Sequence, residues 1–129
     1  MAIPELSIQT VTIPVADQSR ALAFYRDVLG FEVRADNTFG DQRWLSVAPA
    51  GSTVDFTLHP PFPGQSGPGW QQGLVLHTDD IETVIAALRE AGVEVPDAER
   101  QGWGTQAQFT DPDGNGFVLL QQGSGPQSD

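Results

Sequence analysis

The chain has 129 residues, 39% of them hydrophobic: the length of one ordinary domain, with enough apolar side chain to form a core rather than stay disordered. Its formal net charge of −11 repels phosphate backbones and anionic lipid, which argues against nucleic-acid and membrane partners, and would steer a cationic ligand inward. Cys is absent, which excludes disulfide and thiolate chemistry; no apolar run approaches the roughly 20 residues of a membrane span, the N-terminus lacks a secretory pattern, and the expected location is cytoplasmic.

From Val11, VTIPVAD alternates apolar and polar and ends at an acid, as a half-buried strand running into a helix cap does. The helix QSRALAFYRDVLG follows, with Ala21, Leu22, Phe24, Tyr25, Val28 and Leu29 on one stripe and Gly30 as its stop. FEVRA, RWLSVAP and TVDFTLHPP are the next strands, the last two separated by the turn residues Pro49, Gly51 and Ser52. The order then returns. LVLHTDD is a strand, IETVIAALREAG a helix with Ile81, Val84, Ile85 and Leu88 inward, and VEV, TQAQF and GFVLLQQ are three more strands.

Asp17 and Asp80 hold the same station, as do Gly30 and Gly92, so the chain repeats with a period of about 62–63 residues. It is expected to be α+β, one domain over 1–124 built of two βαβββ units, the first at about 6–60 and the second at about 73–122. The Pro- and Gly-rich stretch at about 61–72 reads as a linker and 125–129 as a frayed tail.

Two βαβββ units, with AFYRDVLGFEV in the first and DPDGN-x-F near the end of the second, resemble the vicinal oxygen chelate superfamily, which includes glyoxalase I, extradiol dioxygenases and fosfomycin- and bleomycin-resistance proteins. The resemblance runs from about Ile8 to Gln122 and implies a cup-shaped mixed sheet with helices outside and the ligand inside. It also implies a homodimer, since such units pair within or between chains and leave sheet edges to cover.

Strand alternation sorts the side chains independently of that resemblance. The sets Val54, Phe56, Leu58; Leu45, Val47; Val11, Ile13, Val15; Leu74, Leu76; and Ala107, Phe109 should face the helices. Left on the cup side are Thr10, Thr12, Trp44, Ser46, Asp55, Thr57, His59, Val75, His77, Gln106 and Gln108. Trp103, flanked by glycines in QGWGTQ, could hold a ring over a cavity, and Trp70 lies in the linker, which could fold over the cup mouth.

DPDGNG, from Asp111, matches the first half of a calcium loop, but its flanks are β-patterned and the twelfth position is Gln122 rather than Glu, so it is expected to be a turn. Metal-using members of the superfamily carry His, Gln or Glu at stations that match Thr10, Gly73 and Val118 here, with Asp55 as the best match for a fourth. Gly73 and Val118 offer no ligand atom, so no metal or other cofactor is expected. The expected function is therefore binding of a small organic ligand in the manner of the bleomycin-resistance proteins. Three Trp and the acidic charge suggest a planar, partly cationic molecule, with Asp55 in need of a donor that an amine would supply. The alternative is a lyase, isomerase or dioxygenase-like enzyme with His77, His59 and Asp55 as catalytic candidates, with or without a relocated divalent metal.

Overall fold

The computed structural model describes residues 3–123; the tail expected over 125–129 lies outside them. The first unit runs β1 (Thr10–Pro14), α1 (Gln18–Ala23), one π-helical turn (Phe24–Val28), β2 (Glu32–Phe39), β3 (Gln42–Ala48) and β4 (Asp55–His59). The second runs β5 (Leu74–His77), α2 (Ile81–Glu90), β6 (Glu99–Gln101), β7 (Gly104–Thr110) and β8 (Gly116–Gln122). Each unit closes a four-stranded mixed sheet, ordered β1-β4-β3-β2 in sheet A and β5-β8-β7-β6 in sheet B. In both, the first strand lies parallel to the last and the remaining pairs are antiparallel. No helix of the described residues is long and apolar enough to cross a membrane.

The equivalent acids cap equivalent helices. Asp17 accepts from the Arg20 N–H at the start of α1 and Asp80 from the Thr83 N–H at the start of α2, each satisfying a donor the helix itself leaves free. Gly30 and Gly92 both have positive φ, where the chain leaves the helix. The first helix is not uniform: Leu29 N–H reaches Phe24 O, an i→i+5 bond, so its second half is a π turn with Phe24 and Tyr25 buried.

One strand was placed wrongly by pattern. VEV at 93–95 is not a strand, and the third strand of the second unit, β6, comes later. The reason lies in where the backbone's bonds go. Val93 N–H bonds Leu88 O to finish the helix end, and the Val95 carbonyl is taken by the Arg89 guanidinium at 3.0 and 2.6 Å, which leaves this segment without a ladder partner. FEVRA is part of a longer strand than expected, with a bulge between Val33 and Ala35.

Ile13, Val15, Leu45, Val47 and Leu58 of sheet A are fully buried against α1, and Ile81, Ile85 and Leu88 of α2 are buried with Ala107, Phe109, Phe117 and Leu119 of sheet B. The two halves form one core, joined by Phe117, whose ring lies 6.0 Å from Tyr25 and 6.1 Å from Phe56. α1 packs on β4 of sheet A and α2 on β7 and β8 of sheet B, each on the face that carries its sheet's buried apolar set.

The DPDGN turn fastens the second unit to the first. Asp111, nearly fully buried, accepts from Tyr25 Oη (2.7 Å), Asn115 Nδ2 (2.8 Å) and the N–H groups of Asp113 and Asn115 (both 2.9 Å). Asn115 Nδ2 also donates to Pro14 O, Asp113 pairs with Arg20, and the linker joins in through Gly69 N–H to Pro14 O and Gly116 N–H to Gln71 O. Gly69 has φ +83 and a Cβ there would collide with the Asp113 carbonyl, so only glycine fits.

Candidate functional site

The open face of sheet A carries seven of the expected cup residues. The parallel pairs Thr10↔Asp55 and Thr12↔Thr57 and the antiparallel pair Ser46↔Thr57 set Thr10, Thr12, Asp55, Thr57 and Ser46 on one surface. Thr10 Oγ1 donates to Asp55 O at 3.0 Å and lies 2.6 Å from Thr57 Oγ1. Ser46 and Thr57 are 1% exposed, so the centre of this face is a tight floor of small hydroxyl side chains; Ser46 Oγ has no hydrogen-bond partner.

At one end the floor gives way to rings. The β3–β4 ladder pairs Val47 with Phe56 and Ser46 with Thr57; continuing that register would bring Trp44 level with His59, and Asn37 pairs with Trp44 from the far side. Trp44 is 42% exposed and Phe39, two residues beyond Asn37 on the same face, is 69% exposed. The His59 ring stacks on Phe62, centroids 4.3 Å apart and planes 9° from parallel. The Gln18 side-chain amide bridges β3 and β4 here, donating to Arg43 O and Leu58 O at 2.9 Å each. Arg43 is held in turn by Asp36, whose carboxyl the guanidinium bond keeps below its ordinary pKa. A concavity of about 370 Å³ opens beside His59, between Gln18, Arg43 and Phe62.

Sheet B presents a different open face. Val75↔Val118↔Gln108 and His77↔Leu120↔Gln106 form its two central rows. Val75 and His77 are exposed, as alternation predicts, and the His77 ring nitrogen lies 3.7 Å from the exposed Asp79 carboxylate. A groove of about 1010 Å³ meets this sheet at Gly73, Gln108, Gly116 and Val118, and another of about 890 Å³ takes in Val75 and His77 together with the Pro49–Val54 loop. Of these three concavities none holds His59 together with His77 or Gln108, and Trp44 lines none of them. Trp103 sits at the β6–β7 turn, half exposed and tied by its carbonyl to Gly123 N–H, away from Trp44 on the other sheet. The linker around Trp70 is bonded to the end of β1 and the start of β8.

Three sequence expectations change. Asp55 does not wait for a ligand's amine: Arg34 Nη1 donates to it at 2.9 Å while the same guanidinium binds Glu32 and the carbonyls of Pro49 and Ser52. Arg34 stands in the β2 bulge, a local irregularity that alternation does not foresee. His59, His77 and Asp55 are not gathered into a relocated metal triad either: among the described residues no three His, Cys, Asp or Glu side chains come close enough to hold an ion. The stations matched to the family's metal ligands do not fit a metal, because Thr10 is spent on Asp55 O and Thr57, Gly73 has no side chain, Val118 is hydrocarbon and Asp55 is paired with Arg34. Finally, Phe39, Phe62, Gln18 and Arg34 belong to this site and were not among its expected residues. The Phe39 signal was present, since its strand alternation puts it beside Trp44; Phe62 and Gln18 reach the site from a loop and a helix.

Residues 7–119 match the family model described as Glyoxalase/Bleomycin resistance protein/Dioxygenase superfamily. The uncharacterized protein YetH of Bacillus subtilis (strain 168) is 32% identical over 114 residues, covering 87% of this chain and 95% of its own. Among solved structures, TnmS3, an antibiotic binding protein from Streptomyces sp. CB03234, is 39% identical, with a TM-score of 0.87 over 95% of this chain and 100% of its own. A glyoxalase/bleomycin resistance protein from Streptomyces sp. CB03234 is 42% identical, with a TM-score of 0.80 over 89% and 100%. The repeated fold, its open sheet faces and these matches place the chain in the glyoxalase/bleomycin resistance protein/dioxygenase superfamily.

Proposed function

We propose that the protein is a metal-independent binding protein for a small planar organic molecule, and that it works as a homodimer. The observation that carries the proposal is Trp44: a large ring left 42% exposed at the edge of a floor of buried hydroxyl side chains, with His59 and Phe62 beside it. A ring in that position costs solvent contact unless something flat covers it. The likeness to TnmS3, an antibiotic binding protein, supports a small-molecule ligand. The split of the expected cup residues between two sheets, and between the separate concavities that hold His59 and Gln108, supports a second copy, whose sheet B would complete the cup over this chain's sheet A.

Catalysis by His77, His59 and Asp55 is the weaker reading, because Asp55 is bound by Arg34 and the His59 Nδ1 is engaged by the Pro60 carbonyl. Screening planar heterocycles against Trp44 fluorescence, with Trp70→Phe and Trp103→Phe removing the other two indoles, tests the binding site. Light scattering tests the dimer. Binding that needs added zinc, manganese or iron would sink the metal-independent part, and a monomer that binds at full affinity would sink the two-chain cup.

A further inference from the structure

The structure assigns His59 as a hydrogen-bond acceptor that selects a ligand carrying a hydroxyl on its aromatic ring. This rests on the proposal that Trp44 stacks a planar molecule. The warrant is the state of the imidazole. His59 Nδ1 lies 2.6 Å from the Pro60 carbonyl oxygen. A carbonyl can only accept, so Nδ1 holds the proton, and in the neutral ring Nε2 is then a bare lone pair. Among the described residues the His59 ring hydrogen-bonds through Nδ1, and no bond is made through Nε2.

The ring is held as well as polarised. Phe62 stacks against one face of it, and the His59 carbonyl accepts from Val15 N–H at 3.0 Å, which fixes the backbone beneath. The acceptor therefore has a set tautomer and a set direction, the two properties that let a site tell a donor from its methylated isostere. Continuing the β3–β4 register brings Trp44 level with His59, and the concavity of about 370 Å³ that His59 lines with Gln18, Arg43 and Phe62 is within the size range of small-ligand pockets. Two charged groups line that concavity. Arg43 is committed to Asp36 and Ser19, and Asp41 is an acceptor, so neither competes as a donor for Nε2. A ring lying on Trp44 with a phenolic O–H aimed at Nε2 would engage that lone pair.

The test uses 2-naphthol and 2-methoxynaphthalene, which share a ring system and differ in the donor. Long-range 15N–1H correlation on the full chain first reads the tautomer, with protonated Nδ1 and unprotonated Nε2 expected. Calorimetry should then find naphthol about three- to tenfold tighter than its ether, with the Nε2 resonance moving for naphthol alone. In His59→Phe, which keeps the stack on Phe62, the two affinities should become equal. An Nε2-protonated ring in the free protein overturns the assignment, whether or not either probe binds. Equal binding of both probes, weakened in both by Trp44→Ala, overturns the acceptor role and leaves the stacking site standing. No binding of either probe overturns both.

Discussion

The two units are built to one plan and finished differently. Their strand orders match, their helices start at equivalent aspartates, and both bury apolar faces in a common core. Their open faces do not match. Sheet A shows hydroxyl groups, a half-exposed indole, a stacked imidazole and an internal Arg34–Asp55 pair. Sheet B shows Val75, Val118 and Leu120 beside Gln106 and Gln108 of β7, with His77 at its rim. A repeat needs the same core pattern in both halves to fold, but nothing in packing fixes the side left without a helix. The difference between the faces is therefore where the proposed binding would find its specificity, with sheet A to read polar detail and sheet B to supply an apolar wall.

The strongest way to break the shared plan is to cut the joint between the units. Asp111→Ala would leave Tyr25 Oη, Asn115 Nδ2 and two backbone N–H groups without their acceptor. The loss should be about 3–5 kcal/mol in urea unfolding. Both carboxylate oxygens are already engaged, so added calcium should leave the melting temperature of the parent protein unchanged; a rise of several degrees would show that the turn binds the ion after all.

Alkali probes the same joint. Burial, then the neighbouring Asp111 charge and hydrogen bond, push the Tyr25 phenol well above its ordinary value of 10.0. The folded state thus favours the protonated phenol. Its contribution is complete below the unfolded value and is lost as pH climbs beyond it, because only the unfolded chain releases the proton there. The slope can reach about 1.4 kcal/mol per pH unit. The chain contains one tyrosine and its six basic residues are all arginine, so tyrosinate absorbance reports this residue alone. It should appear together with unfolding, and Tyr25→Phe should flatten the stability profile above pH about 10. Tyrosinate formed in a still-folded chain would contradict the burial argument.

Much of this architecture was legible because it follows from local rules. The caps, the glycine stops, the repeat and the inward sets Ile13, Leu45, Leu58 and Phe109 are properties of short segments, which the sequence states directly. The DPDGNG turn was legible for the same reason. The site was read only in part. Alternation put Thr57, Ser46, Trp44 and His59 on one face because a one-residue slip would have exposed the whole apolar set. It could not see Arg34, which reaches Asp55 from a bulge, or Phe62, which returns from a proline-rich loop to lie on His59. VEV failed because a three-residue alternating run does not reveal that an arginine one helix turn back will occupy its carbonyl.

Binding measurements sharpen the contrast between the faces. Trp44→Ala should weaken a planar ligand about tenfold through lost stacking, with little change in stability because the ring is half exposed. Val75→Ala, on the exposed wall of sheet B, should cost less than Trp44→Ala, since two methyl groups offer less apolar contact than an indole. Equal losses at the two positions would mean that the faces contribute alike.

The smallest expected effect belongs to Asp55, and it decides what the acidic charge is for. If the carboxylate were the anchor for a cationic ligand, Asp55→Asn would weaken amines and spare neutral analogues of the same shape. The structure gives that negative charge to Arg34 instead, at 2.9 Å, within a cluster that also includes Glu32 and two backbone carbonyls. Asparagine keeps an oxygen for the guanidinium and loses only the charge. A pair at this depth, with side chains 23% and 29% exposed, should then cost no more than about 1 kcal/mol of stability. Affinities for a planar amine and its neutral isostere should both change by less than about twofold, which corresponds to less than about 0.4 kcal/mol. A selective loss for the amine would return Asp55 to the binding site and make Arg34 a competitor that the ligand displaces.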